Sequence, residues 1–280
     1  MNVEQVSRAV SEALPCKITI RSDHAALMAA MADALESHLR QRLHCKSTKP
    51  LGLATGRTME PLYQQLLVRL LAWPRQDLQQ LVRSWLSFNL DEYVGLPVND
   101  PRTFHSYMRR NFGDDLGLSQ DSLLVPDGQA RDPQAAAIRY GHQLRQAGGL
   151  GLQLLGLGSN GHVGFNEPPC GPQTSSRVVS LTKATREQNA AAFDGNPEKV
   201  PKQAITVGLR EILAADEIHM VVTGQSKAEI LEAWLMSTCS ADLPASWLRA
   251  HANLHLWLDG GAIGSFYKAS MSIDGFPRND

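Results

Sequence analysis

Residues 152–168 read Leu152-Gln-Leu-Leu-Gly-Leu-Gly-Ser-Asn-Gly-His-Val-Gly-Phe-Asn-Glu-Pro168, an apolar run that leads into a glycine-rich turn. The run over 152–157 predicts a buried strand, and ligands of open parallel sheets bind beyond the carboxyl ends of such strands. His162 and Glu167 are therefore expected at a ligand-binding edge. Because an imidazole titrates near neutral pH and a carboxylate can fix its tautomer, this pair suits proton transfer to and from a hydroxyl or ring oxygen.

Outside this stretch, apolar runs alternate with helical patterns, which is typical of a parallel sheet flanked by helices. The expected strands are 17–20, 51–54, 85–90, 152–157, 217–222 and 254–258, and the clearest expected helices are 23–42, 60–71, 132–146 and 227–236. Residues 158–176 are rich in proline and glycine and are expected to form a loop over the sheet edge. Because no repeat or linker interrupts the pattern, residues 1–280 are expected to form one α/β domain.

Composition narrows the classes of function. The 280 residues are 43% apolar and 20% charged, and 27 basic side chains stand against 28 acidic ones. This balance provides no field to attract nucleic acid or a membrane surface, so any anionic ligand must be bound locally. The four cysteines lack C-x-x-C spacing, which predicts reduced thiols, no metal and no redox pair. With no leader or membrane-length apolar run, we expect a cytoplasmic protein.

Gly156, Gly158 and Gly161 match the G-x-G-x-x-G pattern that binds dinucleotides after a strand. That fingerprint requires a helix at the last glycine and an acidic residue about 20 positions further on. Here Phe165-Asn-Glu-Pro-Pro169 follows, which cannot open a helix, and the next acidic residue is Glu187. We therefore reject a nicotinamide cofactor and expect none.

Two other turns are candidates for binding an anion. Leu53-Ala-Thr-Gly-Arg-Thr58 leads from a strand into a helix, where backbone N–H groups and hydroxyls bind phosphate, although a threonine here is equally consistent with a helix cap. Lys227 lies at another helix start, where the macrodipole favours anions, so a lysine there indicates an anion shared with the backbone; a solvated surface lysine is the alternative. Beside a proton-transferring pair, two such turns indicate a sugar phosphate.

Asp91 and Glu92 follow the strand expected at 85–90. Neighbouring residues of a strand point to opposite faces, so the two acids are expected to have different roles. A carboxylate at a strand end that is partly withdrawn from water is a plausible base for a carbon acid, and a helix cap or a loop carboxylate is the alternative.

Four segments, in this order and spacing, resemble the glucosamine-6-phosphate deaminase family: Ser87-Phe-Asn-Leu-Asp-Glu-Tyr-Val-Gly-Leu-Pro97, Ser106-Tyr-Met-Arg-Arg-Asn-Phe112, Asn160-Gly-His-Val-Gly-Phe-Asn-Glu-Pro168 and Val200-Pro-Lys-Gln-Ala-Ile-Thr-Val-Gly208. The resemblance implies a Rossmann-like α/β fold of the sugar-phosphate isomerase type, a mostly parallel sheet flanked by helices. It also implies conversion of glucosamine 6-phosphate and water to fructose 6-phosphate and ammonia, without metal or organic cofactor, by a homo-oligomer.

The resemblance assigns roles to residues of this chain. His162 matches the ring-opening histidine, Glu167 its helper and Asp91 the enolisation base, while the substrate phosphate falls on Lys227 and on the turn of Thr55, Gly56, Arg57 and Thr58. Asn160 stands where many members have Asp, and its amide oxygen can still orient the histidine. Ala191 stands where the family usually offers an arginine to the phosphate, and Arg57 could replace that arginine.

Three alternatives stay open. Galactosamine-6-phosphate deaminase would use the same residues on a substrate that differs in one hydroxyl configuration. A 6-phosphogluconolactonase-type hydrolase has a related glycine turn, but residues 91–93 and 165–168 favour the deaminase. A sugar-phosphate sensor without catalytic activity has no reason to keep Asp91, His162 and Glu167.

Overall fold

The computed structural model describes residues 16–264, and its centre is a seven-stranded parallel sheet. Chain order gives its strands as β1 Lys17–Arg21, β2 Leu51–Leu53, β3 Ser87–Asn89, β5 Leu123–Leu124, β6 Leu152–Gly156, β9 Ile218–Val222 and β10 Leu254–Asp259. In space the order is β1-β10-β9-β6-β2-β3-β5. The central strands β2, β3, β6 and β9 are almost wholly buried, as is usual for a parallel sheet with helices on both faces, and they include the buried polar residues Ser87 and Asn89.

Helices connect the strands. They are α1 His24–Cys45, α2 Glu60–Leu71, α3 Arg75–Ser84, α4 Phe104–Met108, α5 Pro133–Gln146, α6 Lys183–Asn189, α7 Leu209–Leu213 and α8 Ala228–Met236. Local signals set their starts: Asp23 accepts the Ala26 N–H at 2.9 Å, and Asp132 accepts the Ala135 N–H at 2.9 Å. The buried stripe of α1 is Leu27, Met28, Met31, Ala32, Leu35 and Leu39, whose spacing is that of one helix face.

The direction of winding reverses at the middle of the sheet. After β2 the chain moves outward to β3 and β5, whereas after β6 it moves the other way, to β9 and β10. β2 and β6 are neighbours, with Leu51 opposite Leu152. Since crevices in doubly wound sheets open where the winding reverses, the turns after β2 and β6 border the expected ligand site.

A second sheet, absent from the sequence expectations, contains three antiparallel strands. It comprises β4 Asp91–Tyr93, β8 Gln203–Thr206 and β7 Arg177–Ser180, in the order β4-β8-β7. Leu90 is the pivot between β3 and β4: its N–H donates to Leu53 O at 3.0 Å, and its carbonyl accepts from Val207 N at 2.7 Å. Asp91 therefore does not end a parallel strand but begins a strand of the small sheet.

The strands and helices expected from the sequence are confirmed. Each expected strand and helix is present, with bounds shifted by a few residues; the strand expected at 85–90 is shortened to Ser87–Asn89. Residues 158–176 contain no helix or multi-residue strand, and no helix opens at Gly161. All four cysteines are free. Within residues 16–264, no helix has the length and apolar character needed to cross a membrane.

Candidate active site

His162 is fixed by the side chain of Asn160 in the turn after β6. Asn160 Oδ1 accepts the backbone N–H of His162 at 3.2 Å and lies 2.6 Å from its ring Nδ1. The atom that accepts the backbone N–H is the amide oxygen of Asn160, and an amide oxygen can only accept hydrogen bonds. Ring Nδ1 must therefore donate to it and carry the proton, so Nε2 keeps its lone pair. The ring packs on Gly158, where any Cβ would overlap the imidazole. The contact that the sequence predicts is thus present, while its catalytic role stays a prediction.

The electrostatic surroundings of His162 differ from the near-neutral titration expected from the sequence. Burial is the main cause that lowers the pKa of His162 to about 4, with a smaller contribution from the positive charge of Lys227, while the negative charge of Glu167 acts in the opposite direction. The imidazole is therefore neutral at physiological pH. These interactions place Glu167 and Lys227, which follow different strands, near the same ring.

Glu167 is poised to accept hydrogen bonds that the protein itself does not supply. Both of its carboxylate oxygens are shielded from solvent, and neither accepts a hydrogen bond from residues 16–264. A buried carboxylate without a hydrogen-bond donor costs free energy. Glu167 is therefore suited to accept a hydrogen bond from protonated His162 or from the hydroxyl of a bound molecule.

Asp91 faces the same loop from the small sheet. Opposite it on β8 is Thr206, and a Cβ at Gly164 would lie 3.5 Å from Asp91 Oδ2 and 3.2 Å from Thr206 Oγ1. Gly164 has φ +58°, a conformation that also favours glycine. Burial, followed by the charge of Glu92, raises the pKa of Asp91 to about 8. A carboxyl with a pKa near neutral is a suitable general base.

Glu92, next in the chain, is occupied by backbone donors. Its Oε1 accepts the N–H groups of Tyr93 at 2.8 Å and Phe104 at 3.0 Å, and its Oε2 accepts that of His105 at 2.8 Å. Burial nevertheless raises the pKa of Glu92 to about 7, against the lowering effect of these hydrogen bonds. Glu92 thus holds the start of α4, and Asp91 alone of the pair faces the loop.

The two candidate anion turns lie at the carboxyl ends of β2 and β9. Gly56 has φ +111°, which favours glycine, and Arg57 is exposed beside it. Lys227 ends a single helical turn that leads into α8, and burial lowers the pKa of its ammonium group. The preceding turn is held by Asp259, whose carboxylate accepts the Gly224 N–H at 2.9 Å and 3.1 Å.

The structure thus brings the sequence-predicted residues to one edge of the molecule, at the ends of the adjacent strands β9, β6, β2 and β3. Sequence reasoning missed the residues that support them. Asp259, Thr206 and the three backbone donors of Glu92 act through contacts distant in sequence, and no local pattern marks them. Ala191 is exposed on a short 3₁₀ helix, Ala190–Phe193. Among the described residues, no group of three or more His, Cys, Asp or Glu side chains could hold a metal ion.

The site contains an imidazole, two carboxyl groups and two candidate anion turns at a reversal of sheet winding. This arrangement is typical of an α/β enzyme that performs acid–base chemistry on a small phosphorylated molecule. Comparison with known families makes this class more specific. The model of the glucosamine-6-phosphate isomerases/6-phosphogluconolactonase family matches residues 22–257, so the chain belongs to that family.

Relatives at the sequence level carry the name glucosamine-6-phosphate deaminase. The protein from Rhodopirellula baltica is 38% identical over 246 residues, which cover 88% of this chain and 94% of the relative. The protein from an Exiguobacterium species is 40% identical over 224 residues, covering 80% and 83%.

Solved structures show the same fold. A monomeric glucosamine-6-phosphate deaminase superposes with a TM-score of 0.78 at 32% identity, covering 89% of this chain and 99% of that one. The 6-phosphogluconolactonase from Trypanosoma brucei gives 0.70 at 20% identity, with 90% and 99% covered, and this likeness concerns the fold alone. The Rossmann-like architecture that the sequence predicts is confirmed.

Proposed function

We propose that this enzyme converts glucosamine 6-phosphate and water to fructose 6-phosphate and ammonia. The observation that carries the proposal is the buried Asp91 carboxyl, with its pKa raised to about 8, beside the loop that holds His162. A base from one sheet and an imidazole from the other, at an edge with two anion turns, fit an aldose–ketose isomerisation. The names of the relatives support the same reaction.

His162 opens the sugar ring in the proposed first step. Its unprotonated Nε2 removes the proton of the anomeric hydroxyl, and the resulting imidazolium returns a proton to the ring oxygen as the bond between that oxygen and the anomeric carbon breaks. Asn160 keeps the ring in the required tautomer. Glu167 stabilises the transient imidazolium, a task for which its carboxylate has no competing donor among residues 16–264.

Asp91 then acts as the base for isomerisation. It removes the proton from the carbon that bears nitrogen, and the electron pair forms an enol as the carbonyl oxygen takes a proton from the substrate ammonium group. Asp91 then returns its proton to the neighbouring carbon. The product is an imine, which water hydrolyses to a ketone and ammonia. The ammonium group of an arriving substrate favours the ionised form of Asp91, so binding helps to generate the base.

Binding of the substrate phosphate holds the open-chain sugar in place. We propose that Lys227 and the turn of Thr55, Gly56, Arg57 and Thr58 bind it through backbone N–H groups, hydroxyls and positive charge. Binding energy gained at this remote group is then available to orient the reacting carbons.

One experiment separates the candidate reactions. The purified protein is incubated separately with glucosamine 6-phosphate, galactosamine 6-phosphate and 6-phosphogluconolactone, and the release of ammonia and of acid is measured. We expect ammonia from the first sugar. Ammonia from the second sugar only would identify the epimeric substrate, and acid release from the lactone without ammonia would contradict the deaminase reading.

Four further expectations belong to this proposal. Residues 1–280 form one domain, whose ends lie outside the described residues, and the enzyme acts in the cytoplasm without a cofactor. Assembly into a homo-oligomer also stays a prediction, since one solved relative is described as monomeric. Sedimentation of the purified protein tests this last point.

A further inference from the structure

Two tyrosine hydroxyls hold the main chain of the turn after β2. Tyr63 Oη donates to the carbonyl of Ala54 at 2.6 Å, and Tyr107 Oη donates to the carbonyl of Gly56 at 2.9 Å. The two accepting carbonyls flank Thr55. Tyr63 comes from α2, directly after the turn, whereas Tyr107 comes from α4 and lies 51 residues beyond Gly56 in the chain.

Peptide geometry gives these contacts a consequence for the opposite side of the turn. In a trans peptide the C=O of one residue and the N–H of the next point in opposite directions. The one cis bond within residues 16–264 joins Pro168 and Pro169, so the peptides of this turn are trans. Since the tyrosines draw two carbonyls inward, the N–H groups of Thr55 and Arg57 are turned outward. Neither N–H donates to an acceptor in the described part of the chain.

The tyrosines are rigid enough to impose this arrangement. Both rings are buried, at 1% and 8% exposure, and they meet edge to face with centroids 6.5 Å apart. Tyr63 also packs on Phe112 at 5.6 Å. Burial raises the pKa of both hydroxyls, which therefore remain donors throughout the working pH range. Glu92 lies beside Asp91 in β4 and accepts N–H groups from the first turn of α4, the helix that carries Tyr107. Tyr107 therefore connects the strand that contains the proposed base to the anion turn.

We propose that Tyr63 and Tyr107 are positioning residues for the substrate phosphate, which hold the turn so that the N–H groups of Thr55 and Arg57 meet it. This inference rests on the proposed function, because it concerns the same site. Neither tyrosine touches substrate; each acts through a peptide carbonyl. Gly56 has a positive φ, and its carbonyl also accepts the Met59 N–H at 2.9 Å, so Tyr107 adds a second donor from outside the turn to a carbonyl that the turn already holds.

The test removes each hydroxyl and keeps each ring, by Tyr107→Phe, Tyr63→Phe and the double change. Each single change is expected to raise the KM for glucosamine 6-phosphate and the inhibition constant of inorganic phosphate by about 3- to 10-fold, with kcat within about twofold, since one neutral hydrogen bond is lost. The stabilisation that inorganic phosphate gives against thermal unfolding should fall in parallel.

Tyr140→Phe is the matched control. It removes a buried hydroxyl that also donates to main-chain carbonyls, those of Asn89 and Leu124, but not to the turn. If Tyr140→Phe raises the KM and the inhibition constant of inorganic phosphate as much as Tyr107→Phe does, the effect is general destabilisation and the proposal is overturned. The proposal is also overturned if the KM and the inhibition constant of Tyr63→Phe and Tyr107→Phe stay within twofold of those of the unchanged protein. It is overturned likewise if the unchanged protein does not bind inorganic phosphate.

The proposed function fails by a different result. If the unchanged protein releases no ammonia from either amino sugar while its phosphate affinity still depends on Tyr63 and Tyr107, the support of the turn stands and the assigned reaction is wrong.

Discussion

Replacing Asp91 by Asn removes the proposed base while keeping the shape of its side chain. Loss of a general base usually lowers the rate by about 100-fold or more, so we expect turnover to fall by at least that factor, with the KM for glucosamine 6-phosphate within about threefold. Ammonia release at saturating substrate is the assay. A variant that keeps more than about a tenth of the turnover would refute the role of Asp91 as base.

The same substitution should make the protein more stable. Burial and Glu92 raise the pKa of Asp91 from 3.8 to about 8, and one pKa unit corresponds to about 1.4 kcal/mol. Ionisation in the unfolded chain therefore removes stability as the pH rises from 3.8 to about 8, up to a limit of about 6 kcal/mol. An asparagine amide does not ionise, so the variant does not lose this stability. We expect Asp91→Asn to raise the free energy of unfolding near the upper end of this window by at least about 2 kcal/mol, or Tm by about 4 °C or more.

Thermal unfolding at the two ends of that pH window checks this expectation. The gain should vanish near the lower end, where the carboxyl is protonated in both states. Asp121→Asn is the control, since Asp121 is exposed in a turn and its replacement should change neither turnover nor Tm. Equal gains at both ends of the window, or no gain at the upper end, would show that folding does not raise the pKa of Asp91.

Three other predictions concern neighbouring residues. Arg57→Ala and Lys227→Ala should each raise the KM for the sugar phosphate by about 10- to 100-fold with a smaller effect on kcat; an unchanged KM for Arg57→Ala alone would show that the phosphate is held without this arginine. Asn160→Asp places a carboxylate 2.6 Å from the ring and should raise the pKa of His162 from about 4, as measured by NMR titration; an unchanged or lower pKa would contradict the contact. Glu92→Gln removes the charge that raises the pKa of the adjacent base, so the acid limb of kcat/KM should move to lower pH; a limb that stays in place would exclude this coupling.

Local sequence patterns were sufficient for six strands of the large sheet, for the four helices named from the sequence and for the positions of the chemical groups along the chain. An apolar run followed by glycines identifies the end of a strand wherever it lies in the fold, which is why the turns at Thr55, His162 and Lys227 could be placed at strand ends. Resemblance to a family added the reaction. Both kinds of signal are carried by residues that are close together in sequence.

The arrangement of these groups required the tertiary structure. Strand order, which sets β2 beside β6, and the small sheet, which pairs Asp91 with Thr206, depend on contacts between distant segments. Burial decided the protonation states: it raises the pKa of Asp91 and lowers that of His162, in each case because the charged form is withdrawn from water. The support of the anion turn by Tyr107 spans 51 residues, and a hydroxyl that meets a main-chain carbonyl leaves no mark in the sequence.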